Sequence, residues 1–206
     1  MSRFQHAVEN VALTSERLAA MDPTFDSLQR SYADALTKLS AAEAQAHPEE
    51  DPGQWCAQEL VEHLILTYHS TASVLEERLE KGRPTQALVT PEHEARWRAT
   101  IMAGRFPEGG KAPEHVRPGQ LNLPVLSGEE LASRLSTAME RMDRLLEQCT
   151  EKFGSQPMAS HFAFGPLSVD QWRQFHSVHG NHHLGQMKRI LASVHNDPSW
   201  RPEKAM

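Results

Sequence analysis

Apolar residues recur along most of this chain at intervals of three and four, the period of an amphipathic helix. Leu28, Tyr32, Ala35, Leu36, Leu39 and Ala42 share one face and predict a helix from about Asp26 to Ala46. His47-Pro48 closes it, because the residue before a proline is pushed out of the helical region. Leu60, Leu64, Thr67, Thr71, Val74 and Leu75 predict a long helix from Trp55-Cys56 to about Glu80, stopped by Gly82 and Pro84. Ser127-Gly-Glu-Glu130 has the form of a capping box and opens a helix through Leu131, Leu135, Ala138, Met142, Leu145, Leu146 and Cys149 to Gly154. Ser168-Val-Asp-Gln171 repeats the device and opens a last helix to about His195. Ahead of all these, Phe4, Val8, Val11, Ala12 and Leu18 predict a short helix over 1–21, broken at Met21-Asp22-Pro23.

The connections are equally informative. Residues 83–126 carry Pro84, Pro91, Pro107, Gly109, Gly110, Pro113, Pro118 and Pro124, and read as a long crossover with one helical segment around Glu92–Met102. Long irregular connections of this kind are usually functional or structured by packing. The segment SQPMASHFAFGPL reads as a loop, and NDPSWRPEKAM as a surface strap. No stretch alternates with a sustained period of two, so no sheet is expected. The expected fold is all-α, a helical bundle. It forms one domain over 1–206, with its core at about 26–195, an N-terminal segment 1–25 and a C-terminal tail 196–206.

Composition narrows the setting. A chain of 206 residues, 39% hydrophobic and 23% charged, can bury a sizeable core and has a globular balance. Its net charge of -6, with scattered Lys and Arg, offers no basic stripe for nucleic acid and no polybasic membrane anchor. Two cysteines, Cys56 and Cys149, are too few for a secreted disulfide scaffold; both are expected to pack. The start MSRFQHAVENVALTSERL lacks the apolar core of a signal peptide, and no apolar run approaches a membrane span. A cytoplasmic protein is expected.

Chemistry concentrates in FHSVHGNHHLGQMKRI. Twelve histidines make one accidental pair at i and i+4 expected roughly once by chance, so the pattern alone is weak. The helical stripe says more. At about 100° per residue, Trp172, His176, His179, His183, Met187, Ile190 and Val194 fall on one inward face. His182 lies toward the edge with Phe175 and Gln186. An unpartnered buried imidazole costs on the order of 1–3 kcal/mol. Two readings answer that cost. Either these are core histidines bonded to carbonyls or carboxylates, or His179 and His183 grip one divalent metal. A metal needs a third ligand, and His63, beside the Leu60/Leu64 stripe on a helix flank, is the leading candidate, with His161 and His176 in reserve. His69 falls on the opposite face; His47, His93, His115 and His195 lie near helix ends or in loops. Other chemistries lack their motifs. HExxH, paired ExxH, a glycine-rich phosphate loop, GxSxG and CxxC are all absent.

The run WCAQELVEHLI resembles the DinB/YfiT-like superfamily, where Trp-Ser-x-x-Glu-x-x-x-His-Leu commonly starts a helix. The run FGPLSVDQWRQFHSVHGNHHLGQMKRI resembles that superfamily's closing helix, His-x-x-x-His-x-x-Gln, and looks like a poorly characterised bacterial branch. The resemblance covers about 26–195. It implies a four-helix bundle with a long crossover and a divalent metal on three histidines, which motif by motif are His63, His179 and His183. Cys56 stands where the family often has a capping serine. Some members are transferases of a low-molecular-weight thiol such as bacillithiol or mycothiol; others are isomerases.

Three neutral histidines would leave one coordination position for water or a thiolate. A metal-dependent thiol S-transferase or small hydrolase is therefore expected, acting on a small-molecule substrate such as a low-molecular-weight thiol. Zinc, nickel or iron would suit, as would copper. In that reading His176 orients a ligand or shuttles a proton, Gln186 steadies a ligand ring or packs at the helix edge, and the crossover forms part of the pocket mouth. The alternative is a non-catalytic metal-stabilised or metal-sensing bundle; a third reading has a polar core cluster and no metal. No nucleic acid or membrane partner is expected, and a homodimer fits a small bundle.

Overall fold

The computed structural model describes residues 21–48, 53–107 and 110–195. The expected helix over 1–21, up to residue 20, and the strap 196–206 lie outside the described residues. Helix α1 spans Pro23–Leu36. Asp22 caps it by accepting from the Thr24 N–H at 2.9 Å, with Pro23 in the first turn, where its missing N–H costs nothing. Phe25, Leu28, Tyr32 and Leu36 form its buried face.

The expected single helix to Ala46 is in fact two. The chain leaves α1 at Thr37 and restarts as α2, Ala41–Gln45. Ser40 and Glu43 make a full capping box, the Ser40 N–H donating to the Glu43 carboxylate at 2.8 Å. Tertiary contact explains the break. The freed Leu39 side chain is buried, and its carbonyl accepts from the Gly128 N–H at 3.0 Å. A Cβ on Gly128 would stand 1.8 Å from the Leu36 carbonyl oxygen, so only glycine allows this junction.

Helix α3, Ala57–Lys81, ends at Gly82 in the left-handed conformation with φ of 64°. At its start the Glu59 carboxylate takes the Cys56 N–H at 2.9 Å. The crossover carries α4, Pro91–Trp97, continuing into a π-helical turn over Arg98–Met102, and a 3₁₀ turn over Glu114–Val116. Helix α5 spans Gly128–Phe153 and α6 spans Val169–His195, each opened by the serine expected.

The expected loop between α5 and α6 contains a small antiparallel hairpin, β1 at Ala159–His161 and β2 at Gly165–Leu167. Three-residue strands are too short to show alternation, and this pair is fixed from outside. The Thr85 N–H donates to the Met158 carbonyl at 2.8 Å, tying the crossover to the hairpin.

The long helices α1, α3, α5 and α6 make the bundle, with α3 along α5, and α1 against α5 and α6. One cluster of buried apolar side chains runs through all four. Tyr32 donates its hydroxyl proton to the Gly180 carbonyl at 2.8 Å, joining α1 to α6. The first three turns of α3 are buried on nearly every side because the crossover covers the face the bundle leaves open. Polar side chains pin it there. Gln58 donates to Pro124 O and accepts from Leu126 N, both at 3.0 Å, and buried Glu62 accepts from Leu121 N at 2.7 Å. Among the described residues no helix is long and apolar enough to cross a membrane.

Candidate metal centre

His63 sits in the second turn of α3, and the covering crossover buries it to 4% exposure, where a helix-flank position was expected. His179 and His183 lie one turn apart on the inward stripe of α6, at 8% and 7%. The stripe holds as expected: Trp172, His176, Met187 and Ile190 are buried with them, and His69 is exposed. Phe175, expected near the edge, is buried too.

The three rings turn the same nitrogen toward one another. His63 Nε2 is 3.3 Å from His179 Nε2, which is 3.1 Å from His183 Nε2. The other nitrogen is engaged elsewhere in two of them. His63 Nδ1 lies 2.7 Å from the Val116 carbonyl, which can only accept, so the ring's proton belongs on Nδ1. His183 Nδ1 lies 2.7 Å from Gln186 Oε1, with the same consequence. The Gln186 amide nitrogen in turn donates to His182 Nε2 at 3.1 Å, which fixes the direction of the amide. Two bare Nε2 lone pairs therefore face a third ring. If His179 carries its proton on Nε2, it can donate to only one of its two neighbours.

A further proton does not resolve this. Burial, then the neighbouring histidines, holds His179 well below the ordinary histidine range; burial and His63 push His183 down to about 3. Burial lowers His63 as well, against the Val116 carbonyl, which raises it. A divalent metal accepts three lone pairs at once. Nitrogens about 2.0–2.1 Å from a tetrahedral zinc stand roughly 3.3 Å apart, close to the separations here. Among the described residues no carboxylate, thiol or fourth histidine joins the three. The buried His63/His179/His183 cluster could hold a divalent metal ion.

The reserve histidines go elsewhere. His176 stacks on Tyr68 with ring centroids 4.8 Å apart and packs edge-on against Phe25 and Phe175. Its Nε2 has no hydrogen-bond partner among the described residues, and burial pushes the ring down to about 3. His161 lies in β1 among Phe162, Phe164, Trp172 and Phe175, accepts the Ala163 N–H at 3.0 Å, and is pushed down by burial to about 4. Neither ring joins the cluster.

The sequence reading gives three contributors no role at the site. The Val116 carbonyl belongs to backbone in an irregular segment, which no side-chain pattern reveals. Trp55, with its ring centroid 5.0 Å from that of His63, and Phe106, 5.2 Å from His179, come from outside the regular stripes. Gln186 had a signal, its place three residues beyond His183 on the same helix face.

A family model described as the DinB superfamily matches residues 24–187. The chain is also similar to an uncharacterized protein of Bacillus subtilis (strain 168), YuaE, at 25% identity over 141 residues, 68% of this chain and 80% of that one. No solved structure matches.

Proposed function

The chain belongs to the DinB superfamily, and from that premise we propose that His63, His179 and His183 hold one divalent metal through Nε2 in a metal-dependent enzyme acting on a small molecule. One observation carries the reading: two Nδ1 protons are committed to Val116 O and Gln186 Oε1 while the Nε2 atoms of His63 and His183 stand 3.3 and 3.1 Å from that of His179. When bound, the metal supplies Lewis acidity at the position the protein leaves open. The chain's own residues do the rest. Val116 and Gln186 keep the ligand nitrogens bare and aimed, as carbonyl and amide partners do for metal-bound imidazoles elsewhere. Phe175, stacked on His179, keeps bulk water from the inner side. Zinc, nickel and iron all accept three imidazoles. A low-molecular-weight thiol suits the open position, as substrate of an S-transferase, and an activated water suits a small hydrolase.

The near-closure of the ligand rings, at 4–8% exposure, favours a second reading in which the metal only ties α3 to α6. Elemental analysis of protein purified without an affinity tag tests the shared premise; stoichiometric metal is expected. A conjugation assay with several thiols and a generic electrophile then separates the readings. Turnover that disappears with chelator supports the enzyme. Full metal content with no thiol or hydrolytic turnover favours the tie.

A further inference from the structure

The ligand rings are walled in unequally. On the inner side stand Phe175, stacked on His179 at 5.5 Å, and the His176–Tyr68 pair, all buried. The aromatic side chains that touch ligand rings and still reach solvent are Trp55, tilted 42° against His63, and Phe106, edge-on to His179 and 5.6 Å from His182. Trp55 comes from the entry to α3 and Phe106 from the crossover, so two separate segments each set a half-buried aromatic ring against a ligand ring.

We propose that Trp55 and Phe106 form a narrow aromatic jaw that selects ligands pairing an anionic donor atom with a flat aromatic body. This rests on the metal reading above. Charge, limited access and ring packing support it. The imidazoles are neutral, the cluster contains no carboxylate, and the surroundings are buried, so a divalent ion there keeps its full charge and draws an anionic donor. The ligand rings are only 4–8% exposed, which favours a thin group over a thick one. Half-buried aromatic faces beside it are incompletely packed, and a flat ring completes them by stacking or edge contact. An aliphatic seal would close a purely structural site equally well and would leave no such selectivity.

Cobalt(II)-loaded protein titrated with three hydroxamates tests this, because the chelating group is constant while the body changes. Visible absorption of the cobalt reports both loading and ligand binding. Benzohydroxamate should bind about tenfold more tightly than acetohydroxamate, the order that one good aromatic contact supports. Cyclohexanecarbohydroxamate, equally apolar but thick, should bind no better than acetohydroxamate. Trp55→Leu and Phe106→Leu should each cut the aromatic preference to under about threefold with the cobalt band retained. Equal affinity for all three ligands overturns the jaw with the metal site intact. Equal binding of the benzo and cyclohexane compounds overturns the claim of flatness. A protein that develops no cobalt band overturns the metal reading itself, and the jaw with it.

Discussion

Helix α6 places buried histidines in two neighbourhoods one turn apart, and they differ in everything except burial. His179 and His183 meet His63 nitrogen to nitrogen, and two of the three rings have an acceptor fixing the far nitrogen. His176, with His161 nearby, lies flat against Tyr68 and Trp172 and edge-on to Phe175, and its Nε2 has no hydrogen-bond partner among the described residues. Both groups are held neutral by burial. Burial of an imidazole therefore does not make a ligand. What sets the candidates apart is that their Nε2 atoms converge, and for His63 and His183 an acceptor behind the ring decides which nitrogen is bare and where it points.

The contrast can be broken most directly by deletion. His179→Ala should reduce bound metal from stoichiometric to background by elemental analysis, while His176→Phe should keep it. Equal loss in both variants would erase the distinction. Next, zinc at about a hundred times its dissociation constant should raise unfolding free energy by about 2.7 kcal/mol in denaturant titrations. That gain should vanish in His63→Ala and persist in His161→Phe. Third, Gln186→Leu keeps the bulk at the helix edge but removes the acceptor from His183 Nδ1. Competition with a metal-sensing dye should show affinity lowered about 10–100-fold. An unchanged affinity would mean that the amide merely packs there.

A separate test concerns acid. His176 and His161 are lowered from the ordinary value near 6.5 to about 3 and about 4. Between those limits the unfolded chain binds protons that the folded one does not. Stability is therefore full above pH 6.5 and falls as the pH drops toward 4, by at most about 1.4 kcal/mol per pH unit for each group. Chelator-treated His176→Phe should lose stability less steeply over that window than the parent does. Identical slopes would show that His176 contributes nothing to acid sensitivity.

Much of this was legible in advance, for local reasons. Capping serines at 127 and 168 and the left-handed Gly82 mark helix ends within a turn of the residue itself. The inward stripe of α6 follows from helical period alone. The break at Thr37 is masked, although Ser40-Ala-Ala-Glu43 spells a capping box, because the apolar spacing continues through it. The hairpin at 159–167 was missed because its strands are shorter than any alternation and it leans on Thr85, far away in sequence.

By itself, the order of residues determined the helices and the inward turn of His179 and His183, since both depend on neighbours within a few positions. Which third histidine would meet them was a matter of packing. His63 is a ligand candidate because the crossover folds over α3, buries it and sets the Val116 carbonyl behind its ring. His176, equally inward by helical period, is none because Tyr68 takes its face. Period fixes direction around a helix axis; only the partner surfaces fix how a ring is rotated and which of its nitrogens stays free.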